Sequence, residues 1–301
     1  MPLRGPPAPS EPDGIIRGFS LATCHSNQMQ PKIVIEPGKA DREYFKDLWR
    51  YRELFYVLAW RDVSVRYKQT VVGIAWAVLR PALTTIVFTV LFGRLGKFPS
   101  GGVPYPLLVL TGMLPWQLFS SGLSESGNSL IANSNLITKV YFPRLIIPGS
   151  SLVTSLIDFS ISLLMLAVLL AVYRVAPGWP IVFLPVFVLL ALLCAAGMGA
   201  WLSALNVKYR DFIFVVPFIV QLGLYVSPVG FSTSVVPERW RLLYAMNPMV
   251  GVIDGFRWCV LGGSSPLSRW TFLVSLSIVI VTAISGFHFF RRTERSFADV
   301  I

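Results

Sequence analysis

Residues 134–149, SNLITKVYFPRLIIPG, stand between two long apolar runs. They bring two cations, Lys139 and Arg144, and two prolines, Pro143 and Pro148, into a chain otherwise suited to lipid. Leu136, Ile137, Val140, Tyr141 and Phe142 give the stretch an apolar stripe. Ser134 or Asn135 can supply an N-cap and Pro143 a stop, which predicts a helix of about two turns. A short, striped, basic helix between two spans has two uses. It is a knob for a groove on a soluble partner, or a helix resting on anionic lipid, and the stretch alone favours neither.

The flanking runs fix the class. Of 301 residues, 54% are hydrophobic and only 14% charged, where a soluble domain carries about a quarter. The apolar blocks reach about 20 residues, enough for a helix to cross roughly 30 Å of hydrocarbon. The expected fold is an all-α integral membrane protein with six transmembrane helices, near Val71–Gly93, Tyr105–Ser124, Leu145–Tyr173, Pro180–Leu205, Phe212–Phe231 and Trp270–Phe290. In such a chain a net charge of +11 points to anionic lipid headgroups and away from nucleic acid. Cys24, Cys194 and Cys259 are too scattered for a disulfide framework or a zinc site.

Residues 1–40 open with MPLRGPPAPSEPDG, rich in Pro, Gly and Ser and without a signal-peptide core, and read as a disordered cytoplasmic tail. Residues 41–69 read as an amphipathic helix, with Tyr44, Leu48, Tyr51, Phe55 and Leu58 on one face. That helix lies in the headgroup plane with its aromatic residues dipping inward, or packs on a partner; the span directly after it favours the membrane surface. Residues 70–290 form the six-span domain and 291–301 a second cytoplasmic tail. Lys and Arg gather in the N-terminal region, at Lys139 and Arg144, at Lys208 and Arg210, and at Arg291, Arg292 and Arg295, which places these segments and both termini inside. Residues 232–269 are too apolar for a plain loop. Pro237 opens one helix, and Asn247 and Pro248 cap another of about 14 residues, whose rise of about 21 Å falls short of a crossing. The segment is read as a re-entrant helical hairpin between spans five and six, a lid on the outer mouth of a pathway.

Catalytic signatures are missing. GRLGK at 93–97 has the wrong spacing for a phosphate-binding loop and no Ser or Thr after its lysine. His25 and His288 are isolated. No grouping of acid, base and metal ligand argues for a membrane glycosyl or acyl transferase. An ion-coupled secondary transporter wants carboxylates within its spans, and Asp158, near Ser155, Ser160 and Ser162, is the one acid well inside; it reads as a hydrogen-bonding residue between helices. Arg80, ahead of Pro81, faces a wet pathway, snorkels, or pairs with Asp158. Trp76, Trp116, Phe119 and Tyr225 sit in or near spans beside polar neighbours, placed either for packing or for stacking on sugar rings.

Four stretches resemble one family. RYKQTVVGIAWAVLRP (66–81), NSNLITKVYFPR (133–144), NVKYRDF (206–212), and SPVGF (227–231) followed by Asn247-Pro248, Ile253 and Arg257 are similar to segments of the permease subunits of ABC-2-type exporters, above all those exporting O-antigen, capsule or teichoic acid polysaccharides. Val71-Val72 departs from the polar residue and leucine expected before Gly73. The resemblance implies two copies of this chain in the bacterial inner membrane. Two copies of a separate ABC ATPase would bind ATP and Mg, so no cofactor is expected in this chain, and a lipid-linked polysaccharide would be the cargo. It implies a coupling helix at the ATPase made by Asn135, Leu136, Lys139, Tyr141, Phe142 and Arg144, with Tyr141 and Phe142 as its buried anchor. Lys208, Tyr209, Arg210 and Asp211 form a second cytoplasmic loop. Trp76, Arg80, Trp116, Phe119 and Tyr225 are pathway candidates, and Trp240, Tyr244, Asn247 and Arg257 belong to an outer gate. An ABC-2 exporter of drugs or lipids would differ only in cargo.

Overall fold

A computed structural model describes residues 41–68, 71–209, 211–262, 268–294 and 297, with backbone alone for 41–45 and 71–74. The expected N-terminal tail and most of the C-terminal one lie outside the described residues. Every regular element among those described is helical.

The predicted amphipathic helix is two helices, α1 (Asp41–Arg50) and α2 (Arg52–Tyr67), broken at Tyr51. Part of its stripe meets protein. Leu58 is 4% exposed, and Leu48 and Tyr51, with Leu54 beside them, pack against the same core, because α2 lies along α6 (Ile146–Val172). Phe55 of the stripe is 36% exposed, and Trp49, Tyr56 and Trp60 are left outside as well, with Tyr56 and Trp60 stacked at 6.5 Å.

α3 (Val71–Phe88) runs without a break into a π-helical segment, Thr89–Leu95. α4 (Tyr105–Ala132) outruns its predicted end by two turns. The polar run that suggested a stop does not break the helix: Ser121 and Ser124 donate to the carbonyls of Gln117 and Ser120, one turn back, so the hydroxyls are satisfied within it. α5 (Ser134–Lys139) is the short helix of the opening stretch. After α6 come a 3₁₀ turn at Trp179–Phe183 and α7 (Leu184–Lys208). α8 (Phe212–Val226), α9 (Glu238–Tyr244), α10 (Pro248–Val260) and α11 (Arg269–Thr293) complete the order.

Among the described residues five helices are long and apolar enough to cross a bilayer; α8, the expected fifth of six spans, is shorter, with 15 residues. Pro228 and the strand-like turn at Ser227 end it five residues before the predicted limit. The expected pair of short helices is present as α9 and α10. Asn247 caps α10, its side chain accepting from the Met249 amide at 3.0 Å, with Pro248 at the first helical position.

α4 is the axis of the bundle. Its apolar window is 78% buried, against 17% for α3. Leu107, Leu110, Leu114 and Leu118 of α4 meet Phe187, Ala191 and Cys194 of α7, Phe159 of α6, and Met249, Ile253 and Phe256 of α10. α10 is buried along most of its length. Small residues bring α7 and α11 together: a Cβ at Gly286 would lie 2.0 Å from the Gly197 carbonyl oxygen, and one at Gly197 would lie 2.5 Å from the Ala283 Cα. In lipid, where apolar burial between helices gains little, such close backbone approach is what holds helices together.

Candidate functional site

The turns α4–α6 and α7–α8, the start of α6 and the end of α11 share one end of the bundle, and the cations Lys139, Arg144, Lys208, Arg291 and Arg292 gather there. A second apolar core sits beneath this basic end. Leu58 of α2, Leu130 of α4, Ile137 of α5, Phe142, Ile146 and Ile147, Ala204 of α7, Phe290 of α11 and Phe297 meet in it.

α5 begins one residue earlier than its predicted caps allow. Asn133, ahead of the helix, donates its side-chain N–H to the Ser129 carbonyl at 2.9 Å and accepts from Arg61 at 2.7 Å. The helix ends at Lys139, where Val140 turns extended (φ −131°, ψ 135°), well before Pro143. The turn sorts its side chains. Ile137 and Phe142 point into the second core, at 5% and 4% exposure, while Val140 and Tyr141 stand out at 50% and 71%. Asn135 and Lys139 are exposed and Leu136 half-buried. A recess of about 270 Å³ lies along Ile137–Phe142 and Arg144. Of the expected buried anchor, Tyr141 is free for a partner and Phe142 is committed to this chain's own core. Arg144 also turns inward. Its amide donates to Glu294 Oε1 at 2.7 Å, its guanidinium donates to the Glu294 carbonyl at 2.5 Å, and its charge lies 5.7 Å from the Phe297 ring centre.

In the second loop Lys208 lies over the Tyr209 ring at 5.3 Å, and Tyr209 and Asp211 are exposed; Arg210 lies outside the described residues. Beside these turns is a charged cluster that sequence reasoning missed. Arg66, at the end of α2, meets Glu125 of α4 at 2.5 Å and Asp158 of α6 at 3.2 Å. Tyr67 donates to Asp158, and Ser155 donates to Glu125 at 3.0 Å. Burial opposes the Arg66 charge, but the two carboxylates outweigh it and hold its pKa above the ordinary value. The Tyr67 phenol is pushed up as well, by burial first and then by its bond to Asp158. Asp158 therefore bonds between helices as expected, but the arginine it meets is Arg66 and not Arg80. Glu125 escaped notice because span two was ended at Ser124.

The pathway candidates separate. Trp76, Arg80 and Tyr225 are exposed on α3 and α8. Trp116 and Phe119 are 4% and 6% exposed, with ring centres 5.5 Å apart inside the bundle, and Trp116 fills the space over Gly223. α3 and α8 meet through Phe88 and Tyr225, 6.4 Å between ring centres, and both leave broad apolar faces uncovered.

At the opposite end Trp240 is exposed beside Arg239. Tyr244 donates to the Val226 carbonyl at 2.7 Å, and Asn247 donates to Ser227 Oγ at 2.9 Å, so both tie α9 and α10 to the end of α8. Arg257 is 1% exposed. It donates to the carbonyls of Leu108 at 3.0 Å, Val229 at 2.9 Å and Phe231 at 2.9 Å. It is a staple joining α10, α4 and the segment after α8. The planar guanidinium carries donors on three separate nitrogens, which suits it to carbonyls on different segments, and a Cβ at Gly112 would come within 2.6 Å of it.

Comparison with known proteins accords with this arrangement. The ABC-2 type transporter family matches residues 53–261, from α2 to the end of α10. The O-antigen export system permease protein RfbA of Myxococcus xanthus is 30% identical over 263 residues, covering 85% of this chain and 98% of that protein. A protein of the same name from Klebsiella pneumoniae is 26% identical over 250 residues, 83% of this chain and 95% of that one. The polysialic acid transport protein KpsM of Escherichia coli is 22% identical over 241 residues, 78% and 92% of the two chains. With a match over more than half its length and a relative of like length at this identity, the chain belongs to the ABC-2 type transporter family, as a membrane permease subunit.

Proposed function

We propose that this chain is the permease of an ATP-driven exporter that moves a lipid-linked, O-antigen-like polysaccharide from the cytoplasm across the bacterial inner membrane. Two copies of the chain would work with two copies of a separate ABC ATPase, which binds ATP and Mg. The basic end and both termini would face the cytoplasm, with α9 and α10 dipping back as a hairpin at the far side and α1 and α2 at the inner headgroup level. The observation that carries the reading is the Lys139–Val140–Tyr141 corner: outward, apolar and cationic, yet mounted on a core shared by α2, α4, α6, α7 and α11. A push on that corner reaches several spans at once, as coupling through a rigid element requires. The names of the three relatives support the cargo. The uncovered apolar faces of α3 and α8, carrying Trp76, Arg80 and Tyr225, support a second copy beside them and a pathway between the two. A long sugar chain needs such a wet route, since hydroxyls buried without partners are costly.

Co-purification with the cognate ATPase tests this. Lys139→Glu combined with Tyr141→Ala is expected to insert normally and to retain its thermal midpoint, because both side chains lie outside the core. It is expected to hold the ATPase at least about tenfold more weakly, the worth of one lost interfacial anchor of about 1.4 kcal/mol. Undiminished retention of the ATPase would remove the assignment. Solute movement in liposomes under an ion gradient, with no ATPase present, would replace it with a secondary transporter.

A further inference from the structure

The 133–145 loop is mounted at two points, and its second mount is made by residues beyond the last predicted span. At its start Asn133 accepts from Arg61 of α2 at 2.7 Å. At its end Arg144 is held three ways: amide to the Glu294 carboxylate, guanidinium to the Glu294 carbonyl, and charge over the Phe297 ring. Phe297 is 1% exposed and meets Phe290 of α11 edge-on at 5.5 Å. Between the mounts the exposed corner Lys139–Tyr141 makes no such attachment to the bundle. Phe142, one residue past that corner, is buried in the same apolar cluster as Phe290 and Phe297.

We propose that Glu294 and Phe297 form a clamp that fixes the loop to α11, making Arg144, Glu294 and Phe297 positioning residues for coupling. This rests on the reading that the loop meets the ATPase. A displacement of Tyr141 is then delivered to α11 through Arg144 and to α2 through Asn133, and is not absorbed by bending in the loop. Arg144 contacts this chain's own tail, so its part in coupling is stiffness and not partner binding. One residue held by its amide on a carboxylate and by its guanidinium on a carbonyl, with a buried ring behind its charge, is the means by which the fold supplies that stiffness.

The test uses the full-length permease with a spin label on Tyr141→Cys, in a Cys24→Ser background; Cys194 and Cys259 are buried. In the purified permease without ATPase, Phe297→Ala and Glu294→Ala are expected to raise the mobility of the label severalfold, while Glu294→Gln, which keeps an acceptor for the Arg144 amide, leaves it as in the parent. Reconstituted with ATPase in an unlabelled background that keeps Tyr141, the two alanine variants are expected to keep ATPase binding and ATP hydrolysis while cargo exported per ATP falls about tenfold, an effect of the size of one lost charge-assisted contact. A label equally immobile in all variants would overturn the clamp whether or not the loop meets an ATPase. So would export and ATPase binding that fall together in proportion. A looser label with ATPase binding indifferent to Lys139 and Tyr141 would uphold the clamp and defeat the coupling assignment instead.

Discussion

Arg257→Met is expected to lose the folded permease, not merely its activity. The guanidinium is buried and serves the carbonyls of Leu108, Val229 and Phe231. Methionine fills the volume but strands three acceptors. Each buried polar group left without a partner costs about 1–3 kcal/mol, so three together take a large part of the roughly 5–15 kcal/mol that keeps a protein folded. The thermal midpoint of the detergent-solubilised protein, followed by size-exclusion fluorescence, should fall steeply or the protein should aggregate on extraction. Arg257→Lys should also fall, since the three donors of an ammonium leave a single nitrogen and cannot follow the guanidinium's fork to carbonyls on separate segments. A midpoint within the error of the parent for either variant would show that the staple is dispensable.

Gly286→Val carries the second large effect. The α7–α11 contact is backbone on backbone, with 2.0 Å between an added Cβ and the Gly197 oxygen, and nothing there is a side-chain tip that can swing away. The two helices must part along their length, forfeiting the packing on which membrane helices depend, at a cost of about 3 kcal/mol or more, the upper end of overpacking effects. Gly149→Ala is the matched control: its added methyl would meet only Phe55, at 3.5 Å, an ordinary contact. The expected result is a collapsed midpoint for Gly286→Val and an unchanged one for Gly149→Ala.

The sequence reveals what depends on composition along one helix and conceals what depends on two. Long apolar runs announced α3, α4, α6, α7 and α11, and the Asn247-Pro248 pair announced the start of α10, because capping is local. Glu125 was hidden by serines that looked like a terminus; only the observed backbone shows them bonded to their own helix. A stripe such as that of residues 41–69 does not state whether lipid or protein will cover it; here Leu48, Tyr51 and Leu58 pack on protein while Phe55 stays exposed. Arg257 was placed with the outer gate from its position in the hairpin; its burial and its three carbonyl partners show only in the structure. Trp116 and Phe119, equally aromatic with Trp76 and Tyr225, ended inside the bundle because α4 is its axis. Nothing local marks which helix that will be. Glu294 and Phe297 were passed over as a tail, since their partner, Arg144, lies 150 residues away.

The shortness of α8 bears on the lipid around it. Fifteen residues rise about 22 Å, roughly 8 Å less than the hydrocarbon of an ordinary bilayer. With α8 crossing as proposed, acyl chains against Phe214, Phe218 and Leu222, all exposed, would have to compress to match, at fractions of a kcal/mol per ångström. Each isolated chain would thus carry a pinched annulus of lipid along one side. Bringing two such sides together would release the strained lipids to the bulk, a force for pairing that is independent of side-chain complementarity. It would also leave the membrane thinnest where a polar chain had the least distance to travel.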